Sequence, residues 1–282
     1  MIIDSQKKAN VLTMNHEKHS VFFALMDYKT KIIDLTIDLL SFIGEISISL
    51  IKFVCCRLKF RKNDFLQLLQ QTGAKALPIV TLISFLVGLI ISFVSIIQLK
   101  TFGASIYVAD LVGLAMTREM GCLMVGIIMS GRTGAAFAAT IGSMNANEEI
   151  DALKTFGISV MDFLIAPRII AMTLMMPFLC VFADFFGIIG GLSAALPSMD
   201  VTIAKYISQT QHAVSMRDVL IGIVKCTTFG TIISATGCFY GLRCGRDAAS
   251  VGSATTASVV ASITFIIIAD AIYAMLLSLF GI

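Results

Sequence analysis

The sequence predicts an all-α integral membrane protein, with an amino-terminal interfacial helix, five transmembrane helices and a short polar helix between two of them. Three observations predict it. The 282 residues are 57% hydrophobic and only 14% charged, with a mean hydropathy of +0.91, which leaves too little polar side chain to cover a soluble domain. The apolar residues fall in runs long enough to cross a hydrocarbon layer about 30 Å thick. Between two of these runs stands a compact polar stretch, Asn145 to Gly157.

Composition also excludes whole classes of function. The net charge of +3 is small, and the basic residues cluster beside apolar runs, an arrangement that suits anionic lipid headgroups and gives no expectation of a nucleic-acid partner. Seven cysteines are scattered without a C-x-x-C pair, most of them inside apolar runs, so they read as small buried hydrophobes rather than as metal ligands or a disulfide framework. His16 and His19 have a metal-pair spacing but no accompanying acid or thiol set. The run Gly126 to Thr133 has the spacing of a phosphate-binding loop, yet it carries Arg132 where that motif needs Lys, and it lies in an apolar helical run. ATP, if used, is therefore expected on another chain, and no cofactor or metal is expected on this one.

Residues 1–31 are polar and mixed in charge, without the pattern of a cleaved signal peptide, so they read as a retained tail. From 32 to 76 the chain reads as interfacial and amphipathic. Asp34, Asp38, Ser41, Glu45, Ser49 and Lys52 recur every three or four residues, a polar stripe on an otherwise apolar helix that belongs in the membrane interface. Arg57, Lys59, Arg61 and Lys62 follow and mark that side as cytoplasmic. Residues 77–282 form the five-span domain. The spans are placed at Leu77 to Leu99, within Leu111 to Met144, Ile169 to Leu196, Val219 to Leu242 and Ala254 to Phe280. The second region is too long for one crossing, so part of it must project or break. Its small residues from Gly131 to Gly142 favour close helix packing. Pro197 to Asp218 reads as a polar outside segment. Arg243 and Arg246 fall on the inside, which together with the other basic residues puts the amino terminus in the cytoplasm and the carboxyl terminus outside.

The short helix, about 147–156, takes its boundaries from chemistry. Asn145 or Asn147 can cap it, Glu148 and Glu149 lie in its first turn where the helix dipole favours anions, Lys154 lies near its end, and Gly157 can terminate it. Asp151 and Leu153 complete a charged knob suited to docking a partner.

Charges inside the spans are few: Arg118, Glu119, Arg132, Asp184, Lys225 and Asp270. Equal numbers of bases and acids suit partnered charges facing a bundle interior or a wet cavity, since each costs about 2.5–3.5 kcal/mol in lipid. Structural pairing accounts for Asp184, Lys225 and Asp270. Arg118 and Glu119 are neighbours, which point about 100° apart on a helix and cannot neutralise each other face to face; at least one should look into a polar cavity. There Arg118 would draw a phosphate and Glu119 an amine headgroup or a basic partner, with Phe85, Leu89 and Phe93 of the first span beside the acyl chains.

Several segments together carry a family resemblance. Thr117 to Gly121, Ser130 to Ala136, Glu148 to Leu153 and Pro167-Arg168 stand in the order and spacing of the MlaE (YrbE-type) permeases of bacterial lipid ABC transporters, and the match continues through Gly222 to Lys225, Gly241 to Arg243 and Ala269 to Ala271. The resemblance spans roughly residues 65 to 282. It implies a homodimer in the bacterial inner membrane, each subunit with an interfacial elbow helix and five spans, bound to cytoplasmic ABC ATPase subunits that hold ATP and Mg and to a periplasmic ring of MCE-domain proteins. It further implies phospholipid transport, the 148–155 helix as coupling helix, and Arg118 and Glu119 lining a lipid cavity between subunits. The chain departs from the family at Cys122, where relatives commonly have Pro, at Ser253 and Ala257, where they commonly have Arg, and at Ser159-Val160, where an Asp-Pro pair is common. Two other readings remain: a secondary transporter using the intramembrane charges, which should show internal repeats that are not evident here, and a scaffold that only anchors a partner.

Overall fold

The computed structural model describes residues 36–49, 51–52, 62–101, 103–198 and 202–280. The chain divides into two units, Met1–Val54 and Cys55–Ile282. In the first, residues 36–49 form helix α1, with Ile37, Leu40, Ile43 and Ile48 exposed as the amphipathic pattern predicts. The polar tail and the basic residues Arg57, Lys59 and Arg61 lie outside the described residues.

The second unit is all-helical among the described residues. Amphipathic α2 (Lys62–Thr72) leads through a short turn into α3 (Leu77–Lys100), which Pro78 opens at a position where a missing N–H costs nothing. The long α4 (Val108–Ala146) follows, then the polar helix α5 (Glu149–Thr155) and α6 (Met161–Pro197). The chain continues through α7 (Ile203–Ala213) to α8 (Met216–Leu242) and α9 (Ala248–Leu279). Five of these stretches are long and apolar enough to cross a membrane, as the sequence predicts. The described part of the segment read as polar, Pro197 to Asp218, is helical over much of its length. It contains α7, whose Tyr206 is buried against Gly191 and Ala109; burial pushes its phenol above the usual range.

The spans alternate in direction, which the paired residues reveal. Thr117, Gly126 and Gly134 of α4 meet Gly222, Phe229 and Ile233 of α8 in the same order, whereas Gly126 and Gly142 meet Ile266 and Val251 of α9 in reverse. One end of the bundle therefore carries the α3–α4 connection, α7 and the end of α9; the opposite end carries α2, α5 and the loop 243–247. Glycines permit the close approaches. A Cβ on Gly88 would run into the Gly187 backbone and one on Gly190 into the Phe85 backbone, while Ser92 Oγ donates to the Gly191 carbonyl at 2.9 Å. This is the small-residue packing expected between helices that share a lipid solvent. The core runs through Val125, Met129, Met172, Met176, Phe229 and Ile233, with Cys122, Cys180 and Cys226 buried as free thiols, as read from the sequence.

With 39 residues, α4 is about 58 Å long, far beyond one membrane thickness. It does not break. Its backbone instead loosens into two π turns, Met116–Met120 and Ser130–Gly134, and its last turns project beyond the level where α3 begins, as shown by Arg132 donating to the Gln71 carbonyl at 3.1 Å.

Candidate functional site

The first π turn carries Arg118 and Glu119. A π turn inserts a residue into the helical ladder and re-aims the side chains that follow, which is why such turns concentrate at functional sites. Gly222 seats directly against the Thr117 carbonyl, and one turn further along α8 Lys225 reaches Glu119 Oε2 at 2.6 Å. The same ammonium lies 3.0 Å from Asp270 Oδ1 of α9. Lys225 is wholly buried, while the Glu119 side chain is 32% and that of Asp270 17% exposed. From the nearer end of each helix the three residues lie at a common depth of about 14–17 Å.

Arg118 points the other way. Its Nη1 lies 3.6 Å from Asp218 Oδ1, and its side chain remains 32% exposed. Asp218 sits in the first turn of α8, where its carboxylate closes a capping box with Ser215. The neighbours thus diverge as helix geometry requires, Arg118 toward the membrane surface and Glu119 toward the middle. Lys225 serves two carboxylates, and both Arg118 and Glu119 keep an accessible edge.

Asp184 breaks the expectation of paired charges. It is 6% exposed; among the described residues one carboxyl oxygen has no hydrogen-bond partner, and the other meets the Cys180 thiol at 3.9 Å. Gly121, just beyond the π turn, leaves the space that this carboxyl fills. Arg132 likewise joins a backbone carbonyl rather than an acid. Of the first-span residues, Phe85 and Leu89 are half-buried and Phe93 is 44% exposed; the α3 side chains that share an apolar cluster with Met116 and Met120 are Val87, Ile91, Ile96 and Leu99.

At the opposite end, α5 is anchored by Ile150, 1% exposed. Its capping differs from the sequence expectation: Glu148 precedes the helix with φ 60° and no side-chain cap, because Asn145 instead donates to the Cys244 carbonyl at 2.7 Å and Asn147 closes α4. Gly157, with φ +71°, ends the segment as predicted. Arg246 bridges Glu148 Oε1 at 3.0 Å and Asp151 Oδ2 at 3.3 Å, and Lys154 meets Asp151 at 3.2 Å. Glu149 is exposed and Leu153 half-buried. Phe156, 78% exposed just past the helix, is a surface feature that the charge pattern passed over; an aromatic beside a terminating glycine was the available signal.

Five alternating spans, three of them meeting at one buried ammonium, define a multi-pass membrane protein built around an intramembrane charge cluster, a class that includes transport permeases. Comparison with known proteins narrows the class. The chain belongs to the MlaE permease family: the family model described as Permease MlaE matches residues 65–276. It is 35% identical over 198 residues to a probable ABC transporter permease protein of Rickettsia prowazekii, covering 70% of this chain and 76% of that one. Similarity to a probable ABC transporter permease protein of Synechocystis is 31% over 214 residues, 75% of this chain and 81% of the relative. The chloroplastic protein TRIGALACTOSYLDIACYLGLYCEROL 1 of Arabidopsis thaliana is 31% identical over 212 residues, 75% of this chain and 61% of that one.

Proposed function

We propose that this ABC transporter permease is the membrane subunit of a complex that moves phospholipid between the inner and outer membranes of a bacterium, with ATP and Mg held by a separate cytoplasmic ATPase. The observation that carries the reading is the Glu119–Lys225–Asp270 cluster with Arg118 beside it. Two carboxylates on one ammonium leave a surplus negative charge, and a guanidinium stands on the next residue. Such an arrangement offers a phosphate one face and an amine another, at a depth that a headgroup can reach. The name of the Arabidopsis relative, which contains a diacylglycerol lipid, points the same way.

In this reading α5, with exposed Glu149 and Phe156, is the coupling helix that enters the ATPase, and an MCE-domain ring stands at the other end. The basic residues Lys62, Lys75, Lys154, Arg168, Arg243 and Arg246 at the α5 end outnumber Lys100, Lys205 and Arg217 at the opposite end, which supports a cytoplasmic α5 end. A second copy is placed against α9. Only 11% of that span's apolar window is buried, against 28–50% in the others. A groove of about 760 Å³ runs along α9 beside Tyr240, lined by small residues such as Ala257 and Ala261. In that place two copies would bring both charge clusters toward one shared cavity.

The test is to purify Arg118→Ala and Glu119→Ala complexes that remain assembled, and to measure co-purified phospholipid and lipid-stimulated ATP hydrolysis. Both should fall by about tenfold, the effect of losing one charge-assisted contact. Unchanged values in both variants would remove this site from transport.

A further inference from the structure

A second polar site lies at the α5 end of the bundle, far from Glu119. A cleft of about 280 Å³ opens between the end of α2, the second π turn of α4 and the start of α6. It adjoins a cleft of about 370 Å³ that shares Gln71 and Arg168 in its lining. Three cations line the first cleft, Lys75, Arg132 and Arg168, and no carboxylate does; Asp64 lines only the second.

Both guanidiniums are held in place by neutral partners. One Arg132 nitrogen donates to the Gln71 carbonyl at 3.1 Å. Arg168 donates to the Leu164 carbonyl at 2.6 Å and lies over the Phe137 ring at 5.9 Å from its centroid. Each guanidinium has five N–H donors, so most of the donor capacity is left for another acceptor. Among the described residues, none of the three cations is within ion-pair distance of an acid. Three clustered like charges at the margin of a bundle repel one another, and an anion between them removes that cost.

The level of the cleft narrows the anion. Lys75 stands two residues before α3 enters the membrane, and Arg132 lies about 36 Å along α4 from its other end, so the cleft sits where headgroups do. From that level toward the membrane interior, α3 and α6 show Leu82 and Phe178 on the outside, 54% and 63% exposed, a surface suited to acyl chains.

We infer that the α2–α4–α6 cleft binds the phosphate of an anionic phospholipid from the adjacent leaflet, separately from the Glu119 cluster. The bound lipid ties α2 to the projecting part of α4, an arrangement of basic residues between spans that suits anionic headgroups.

Native mass spectrometry of the detergent-solubilised protein tests this with short-chain phosphatidylglycerol, short-chain phosphatidylcholine and inorganic phosphate as separate probes. Phosphatidylglycerol should be retained by the wild-type chain, and its affinity for the cleft should be about a hundredfold lower in Arg132→Gln/Arg168→Gln, the loss expected from two charge-assisted contacts at about tenfold each. Arg132→Lys/Arg168→Lys keeps the charge and should retain an intermediate amount, which separates lost binding from lost folding. Measured in an Arg118→Ala background, which disables the site proposed above, the same loss in the glutamine variant should remain, which distinguishes the cleft from that site. Equal retention of phosphatidylcholine, equal retention by the glutamine variant, or saturation by inorganic phosphate in place of the lipid would each overturn the inference.

Discussion

Lys225 is the residue on which three spans converge, and its chemistry makes it the least replaceable charge in the bundle. Its ammonium is fully buried between Glu119 and Asp270, so Lys225→Met leaves two carboxylates facing each other without their cation. Removing one partner of a buried pair typically costs about 3–5 kcal/mol. Thermal unfolding in detergent should therefore fall steeply for Lys225→Met and much less for Glu119→Gln, in which Lys225 keeps Asp270. Combining Lys225→Met with Glu119→Gln and Asp270→Asn should recover much of the loss; a triple variant no more stable than the single one would show that charge imbalance is not the cause. Asp184 predicts the opposite behaviour. Its carboxyl is buried with one oxygen unpartnered, so Asp184→Asn removes an ionisable group without removing an ion pair. The unfolding temperature of Asp184→Asn should equal or exceed that of the wild type, and a clear drop would mean that the carboxylate has a partner in the assembled protein.

At the scale of elements, α5 shows how an intramolecular contact changes the design of a test. Asp151 reads in the sequence as a docking residue, yet Arg246 and Lys154 both reach it, so reversing it disturbs the helix support as well as any interface. Glu149, exposed in the first turn, is the cleaner probe. Glu149→Lys should abolish co-purification of the ATPase, since a like charge set against a complementary surface costs several kcal/mol. Arg246→Ala should lower it only modestly, because exposed pairs contribute about 0.2–1 kcal/mol. Full ATPase recovery with Glu149→Lys would remove α5 as the docking element. The capping of α5 is likewise set by a contact within the chain. The sequence offered two asparagines before α5, and either side chain could have capped it, but Asn145 is drawn to the Cys244 carbonyl across the bundle end, a contact between residues far apart in the chain.

For the whole molecule, alternation of five spans follows from the residues that meet across helices, and the proposed orientation rests on where the basic residues collect. An enzymatic reporter active only outside the cytoplasm, fused after Ile282, should be active; activity of a cytoplasm-only reporter at that position would reverse the topology and with it the leaflet of both proposed lipid sites.

Taken by itself, the sequence determined the membrane class, the five spans, the small polar helix with its Gly157 stop and the family, because hydropathy, charge-free length and local turn chemistry are properties of contiguous residues. It also separated Arg118 from Glu119, since the divergence of helix neighbours needs no tertiary information. Only the folded molecule decided their partners. Periodicity cannot register a π turn, and spacing along the chain cannot say that Lys225, rather than Arg132, lies within reach of Glu119. Nor can it say that Asp184 faces a glycine instead of a base. Pairings of this kind depend on the rotation and depth of whole helices, which are fixed by close glycine contacts distributed over several spans and encoded in no single one of them.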